Sequence, residues 1–257
     1  MSNLIRPALR TRDVSQTTSG TTLVVIAKET VPGKVKTRLH PPLSLEQAAS
    51  LAALAIGDTL AAVESLPAKR RILLFDGTVT PAGSEGYDVV QQVSGDLDER
   101  LAAMFDELAG PAILIGMDTP QLTAADLAPA FDWPAGVDAF FGPANDGGFW
   151  ALGMAEPRGD LIRGVPMSRD DTGRIQLERL LGAGLTVNML PSLTDVDTFD
   201  DALSVAQAAP GTAFAAAVSV YRNEMLARAC PSSRPTRTRS DPAAPSPMPK
   251  RSAGTTP

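Results

Sequence analysis

Two kinds of side chain stand out in the sequence. The first is a run of cations. The stretch AKETVPGKVKTRLHPPL, residues 27–43, holds Lys28, Lys34, Lys36, Arg38 and the weak base His40 against one acid. Gly33 and Pro32 shape a turn there, Lys36 and Arg38 flank Thr37, and a helix is expected to start shortly afterwards. Backbone N–H groups, a helix N-terminus and flexible cations together make an anion site, best suited to a di- or triphosphate. The second kind is a set of carboxylates in turn-like contexts: Asp118 in GMDTPQL, Asp146 in GPANDGGFWALG, and Asp195 and Asp197 in LPSLTDVDTFDDAL. Hard divalent cations bind one or two carboxylates together with substrate phosphate oxygens. Asp118, Asp195 and Asp197 could therefore hold one metal opposite the cationic loop.

Each feature also has a purely structural reading. A charge run can be a solvated loop, and Asp118 before Thr119-Pro120 can be a turn former. Asp200 and Asp201 suit the first turn of a helix capped by Asp197 or Thr198. That explanation is weaker for Asp195 and Asp197, which alternate along an extended segment and so point the same way. Asn145-Asp146-Gly147-Gly148 is a strong turn signal by itself, although Gly147 and Gly148 also let a ligand approach the backbone closely. In SGDLDERL, helix capping and an Asp96–Arg100 pair one turn apart account for most of the pattern. His40 is the only histidine; a His-based triad is excluded.

The elements that would position these groups follow from periodicity. TTLVVIA (21–27), RRILLFDG (70–77), YDVVQQV (87–93), PAILIGMD (111–118) and TVNMLP (186–191) read as strands, and VDAFFGPA with GGFWALGM as the two arms of a hairpin. Ser44 with Gln47 is a capping-box start to a long amphipathic helix. Further helices are expected over 96–109, stopped by Gly110-Pro111, after Thr123, over 172–184, 198–208 and 212–228. Strands alternating with helices call for a mostly parallel sheet covered on both faces, with ligands beyond the carboxyl ends of the strands.

Composition bounds the rest. The chain has 257 residues, 44% hydrophobic and 20% charged, close to ordinary globular usage. No apolar run is long enough for a membrane span, and the N-terminus lacks a signal-peptide centre. With Cys230 as the only cysteine, neither an internal disulfide nor a cysteine-based zinc site can form. These features fit a cytoplasmic address. Residues 1–20 and 229–257 are rich in Ser, Thr, Pro and Arg and read as disordered tails flanking one domain, 21–228. That central part keeps 15 Lys and Arg against 27 Asp and Glu, a net charge near −12. So acidic a body argues against a nucleic-acid partner.

Taken together, AKETVPGKVKTRL, GDLDERL, GMDTPQL, GPANDGGFWALG and DVDTFDDA resemble, in order, the motifs of the GT-A (nucleotide-diphospho-sugar transferase) superfamily. Within it they are most similar to the transferases often labelled glycosyltransferases of the arsenosugar-biosynthesis type. More distantly they resemble the phospholactate and molybdenum-cofactor guanylyltransferases. The resemblance covers roughly residues 21–205. It implies a three-layer α/β/α fold binding a nucleotide triphosphate or nucleotide sugar with Mg²⁺ or Mn²⁺, plus a small-molecule acceptor. Lys28, Gly33, Lys36, Thr37 and Arg38 would then lie on the phosphate loop, with Lys36, Arg38 and Asp118 catalytic. Asp118 and Asp197, with Asp195, would hold the metal, Gly95 and Asp96 would lie near base or sugar, and Asp146, Gly147 and Gly148 near the acceptor. Phe199 departs from the family's usual proline, which could shift the start of the helix.

Three readings follow. Nucleotidyl transfer suits several cations after the first strand, glycosyl transfer suits the family label, and a non-catalytic nucleotide-binding protein is the alternative from another class. The last fits poorly with three clustered carboxylates, which would repel one another and any phosphate without a metal.

Overall fold

The computed structural model describes residues 20–229; the two predicted tails, and Cys230, lie outside them except at residues 20 and 229. The sheet has seven strands: β1 (Thr22–Lys28), β2 (Arg70–Asp76), β3 (Asp88–Gln91), β4 (Ala112–Ile115), β5 (Ala139–Pro143), β6 (Phe149–Met154) and β7 (Val187–Met189). Their order is β3-β2-β1-β4-β6-β5-β7. All run in one direction except β6, which is antiparallel to β4 and β5. The fold is thus α/β with a mostly parallel sheet. Six α-helices accompany the strands: α1 (Leu45–Val63), α2 (Leu97–Glu107), α3 (Ala124–Leu127), α4 (Thr172–Gly182), α5 (Phe199–Ala208) and α6 (Ala213–Ala229).

Alternation along β1 explains the two faces. Leu23, Val25 and Ala27 point to the side covered by α1 and α3, where they meet Ile56, Leu60 and Leu127. Val24 points to the other side, with Leu101, Phe105 and Leu180 of α2 and α4. A period of two that is apolar at every position marks a strand buried on both sides.

The helix caps expected from sequence are present. Ser44 and Gln47 form a reciprocal capping box at α1, as do Thr123 with Asp126 at α3 and Thr198 with Asp201 at α5. Phe199 occupies the first position of α5 without displacing it. The two closing helices depart from the simplest three-layer picture. They pack against the outer face of α1, where Leu51 and Ala55 meet Val205, Phe214 and Val218, in a cluster that contains no strand residue.

Asp58 of α1 anchors this extra pair. Its carboxylate accepts the backbone N–H groups of Ala213 at 3.1 Å and Phe214 at 2.8 Å, neutralising the start of α6. Asp58→Ala is expected to cost about 1–2 kcal/mol, read as a lower melting temperature with nucleotide binding unchanged. Among the described residues no helix is long and apolar enough to cross a membrane.

Candidate active site

The carboxyl ends of β1, β2 and β4 and the reversed start of β6 open on one cavity of about 900 Å³. Most of the predicted site residues line it: Lys28, Lys36, Thr37, Arg38, Asp96, Asp118, Asp146, Gly148, Asp195 and Asp197. Gly33, Gly95 and Gly147 do not, although all three have positive φ. The positive φ places each of these glycines in a turn bordering the site. The start of α1 is also absent from the lining.

The loop after β1 turns back into the cavity at Lys36, which has the left-handed backbone conformation, φ 46 and ψ 40. Its neighbours Val35 and Leu39 are fully packed and hold the loop down. The Lys36 ammonium lies 2.9 Å from Asp118 Oδ2 and 3.1 Å from Asp197 Oδ1, and only 8% of its side chain is exposed. Burial works against its charge, but the carboxylates of Asp118 and Asp197 outweigh that and hold its pKa above the ordinary lysine value. Arg38 Nη1 reaches Asp197 Oδ2 at 3.1 Å from the solvent side. Two cations expected to face a ligand are therefore engaged by the acids expected to hold a metal.

The acids meet because two distant segments run side by side. Val196 N donates to Asp118 O at 3.0 Å, and Gln121 Nε2 to Thr194 O at 2.7 Å. Val196 is buried, which leaves Asp195 and Asp197 on the cavity side, as the two-residue alternation requires. Asp195 Oδ1 and Asp118 Oδ1 are both buried without a hydrogen-bond partner among the described residues. Burial, then the charges of Asp118 and Asp146, push the Asp195 carboxyl up to about 7, with Lys36 pulling the other way and Asp197 adding to the rise.

The hairpin between β5 and β6 contributes Asp146 and Gly148. Asp146 Oδ1 accepts the Gly148 N–H at 2.9 Å, so its turn-forming role is real, and the carboxylate still borders the cavity. Gly147 sits at φ 90 against the Asp170 carbonyl, where a Cβ would overlap it, and its own carbonyl accepts Gly173 N at 2.8 Å. The turn is thus clamped to the start of α4.

One expected pair does not form. Asp96 makes no side-chain cap, and Arg100 turns away from it to Gly95 O at 2.8 Å, Gln92 Oε1 at 3.2 Å and Asp76 Oδ2 at 3.6 Å. Asp96 stays exposed at the cavity because the β2 and β3 termini offer Arg100 better acceptors. Asp76, Gln92 and Ser168 to Asp170 also line the cavity and were not anticipated. The charged SRDD run before α4 was the available signal for the last group. In all, five Lys or Arg and eight Asp side chains border the cavity.

Residues 59–169 match the family model described as "Uncharacterized protein conserved in bacteria (DUF2064)". Among solved structures, a candidate nucleotide-diphospho-sugar transferase from Desulfovibrio desulfuricans G20 is 26% identical, with a TM-score of 0.69 over 81% of this chain and 97% of that one. The fold is that of the nucleotide-diphospho-sugar transferases. A nucleotidyl transferase from Methanothermobacter has a TM-score of 0.50 at 18% identity, over 73% of this chain and 96% of that one. A Mycobacterium tuberculosis protein solved in complex with manganese has a TM-score of 0.46 at 21% identity, over 74% and 98%. No curated protein matches the sequence.

The donor chemistry fits a hard divalent cation: carboxylate oxygens only, two of them buried and unpartnered. Among the described residues, no three acidic, His or Cys side chains are arranged as a finished metal cage. A Mg²⁺-type site does not need one, since it is completed by water and substrate phosphates.

Proposed function

We propose that the protein is a divalent-metal-dependent transferase that uses a nucleotide diphosphate sugar and passes the sugar to a small-molecule acceptor. The observation that carries this reading is the Asp118–Lys36–Asp197 bridge at the floor of the cavity, beside the unpartnered Asp195. Asp118, with Asp195 or Asp197, would hold Mg²⁺ or Mn²⁺, which when bound neutralises charge developing on a diphosphate leaving group. Lys28, Lys36 and Arg38 would add positive charge around the same group as the bond to sugar breaks. Asp96 accepts hydrogen bonds from the nucleoside end. Asp146, Gly148 and the Ser168–Asp170 segment border the opposite side, where an acceptor would sit.

The choice of glycosyl over nucleotidyl transfer rests on charge. Five cations against eight carboxylates make a poor host for a triphosphate, which carries more negative charge than the diphosphate of a nucleotide sugar. The likeness to the Desulfovibrio protein supports the same choice.

The test supplies each common nucleotide sugar and nucleoside triphosphate with Mn²⁺ or Mg²⁺ and follows melting temperature and products. A nucleotide sugar is expected to raise the melting temperature only with metal and to release nucleoside diphosphate when an acceptor is present. Pyrophosphate release from a triphosphate would replace this reading with nucleotidyl transfer. Metal-dependent stabilisation without turnover across an acceptor panel would leave a nucleotide-binding protein.

A further inference from the structure

We infer that Lys36 is the resident counter-ion of the acid cluster, and that it blocks divalent-cation binding until an incoming diphosphate draws its ammonium away. This deepens the transferase reading and rests on it.

The geometry leaves little alternative. The Lys36 ammonium bridges Asp118 Oδ2 and Asp197 Oδ1 at 2.9 and 3.1 Å, so it occupies the position from which a cation would reach both carboxylates. Two cations so close together on the same oxygens would repel strongly in a site this enclosed. The backbone of Lys36 is pinned, since Val35 and Leu39 on either side are buried in two different parts of the core. The side chain, by contrast, has four rotatable carbons and a point charge with three donors, two of them used here. Exchange is therefore a side-chain movement, from carboxylate to phosphate oxygen. The cluster that Lys36 leaves is short of positive charge. Asp118 Oδ1 and Asp195 Oδ1 are buried and unpartnered even with the ammonium in place, and Arg38 touches only Asp197.

A thermodynamic consequence follows. Diphosphate that captures Lys36 frees the carboxylates for metal, and metal that takes the carboxylates frees Lys36 for diphosphate. Each ligand then raises the affinity for the other by the same factor. Wild-type protein should bind metal poorly alone and well with diphosphate.

Manganese binding, measured by paramagnetic resonance on the full chain without nucleotide, tests this. Lys36→Met is expected to bind Mn²⁺ alone at least about tenfold more tightly than wild type. Lys36→Arg, which keeps the cation, and Lys34→Met, which removes a loop charge that touches none of the acids, should stay near wild type. Adding pyrophosphate should tighten Mn²⁺ binding by wild type and tighten it far less in Lys36→Met. A lysine that stayed on the acids would, on removal, raise Mn²⁺ affinity equally with and without pyrophosphate, so it is the loss of the pyrophosphate effect in Lys36→Met that marks exchange. The inference is overturned if Lys36→Met, or Lys36→Gln should the first variant fold poorly, binds Mn²⁺ alone no better than wild type. If that happens while a nucleotide sugar with Mn²⁺ still stabilises wild type, the exchange fails and the transferase reading stands. If no nucleotide sugar with metal stabilises wild type, the transferase reading fails as well.

Discussion

Asp118→Asn is expected to abolish the metal-dependent rise in melting temperature with nucleotide sugar and to lower turnover on the order of a thousandfold. Asp118 follows β4, which lies between β1 and β6 in the middle of the sheet. One of its oxygens meets Lys36 and the other is buried without a partner, so this carboxylate has an unused acceptor already desolvated. Asparagine keeps the shape and hydrogen-bonding capacity but removes the charge that a hard cation needs. Lys36 keeps Asp197, so the ligand-free protein should fold normally. Calorimetry with Mn²⁺ and nucleotide sugar checks the binding, and product release checks turnover. A variant that keeps the ligand-induced melting shift would remove Asp118 from the metal site.

Asp195→Asn should instead stabilise the ligand-free protein, with a distinctive dependence on pH. The Asp195 carboxyl is raised from 3.8 to about 7, chiefly by burial and then by the charges of Asp118 and Asp146. A folded-state value above the unfolded one means that the folded protein holds the proton more tightly. That contribution is complete below about pH 4, fades as pH rises, and is gone above about pH 7. The wild type should therefore lose stability across this window, and the asparagine variant, with no proton to lose, should not. At pH 8 the variant is expected to be more stable by about 2 kcal/mol, or roughly 4–8 °C in melting temperature. Near pH 4.5 the two should nearly coincide. Metal-dependent nucleotide stabilisation should fall in the variant at pH 8, with the difference from wild type shrinking towards pH 4.5, where the wild-type carboxyl is itself protonated. Thermal melts from pH 4.5 to 8.5, with and without Mn²⁺, measure both effects, and a variant less stable than wild type at pH 8 would contradict the crowding of acids around Asp195.

Local sequence signals made much of this molecule readable. The β-branched run of β1, the Ser44–Gln47 box and the cap of α5 are decided by neighbours a few residues apart. The first two are found where expected, and of the two candidates for the third, Asp197 and Thr198, it is Thr198 that caps, with Asp201 completing the box. Asp195 and Asp197 were legible as a pair because alternation in an extended segment puts them on one side and Val196 on the other. Lys36 was legible as important but its partners were not. They lie far along the chain, and nothing local favours a carboxylate over a ligand phosphate. Arg100 failed for the opposite reason. The pairing rule for one helical turn pointed to Asp96, but the turn after β3 brings Gln92 and Gly95 O within reach, and neither contact follows from helix spacing. The placement of α5 and α6 on α1, and the Ser168–Asp170 wall, likewise depend on tertiary packing that an amphipathic pattern cannot assign.

The bond between Val196 N and Asp118 O has one last implication. It is the stitch that brings the final carboxylates to the floor of the cavity, and it joins the middle of the chain to a stretch that follows every strand. A polypeptide ending just after β7 would possess the whole sheet and still lack half of its acidic centre. Ligand competence therefore arrives only after the sheet is complete, and a product truncated just after β7 would keep every strand yet lack Asp195 and Asp197.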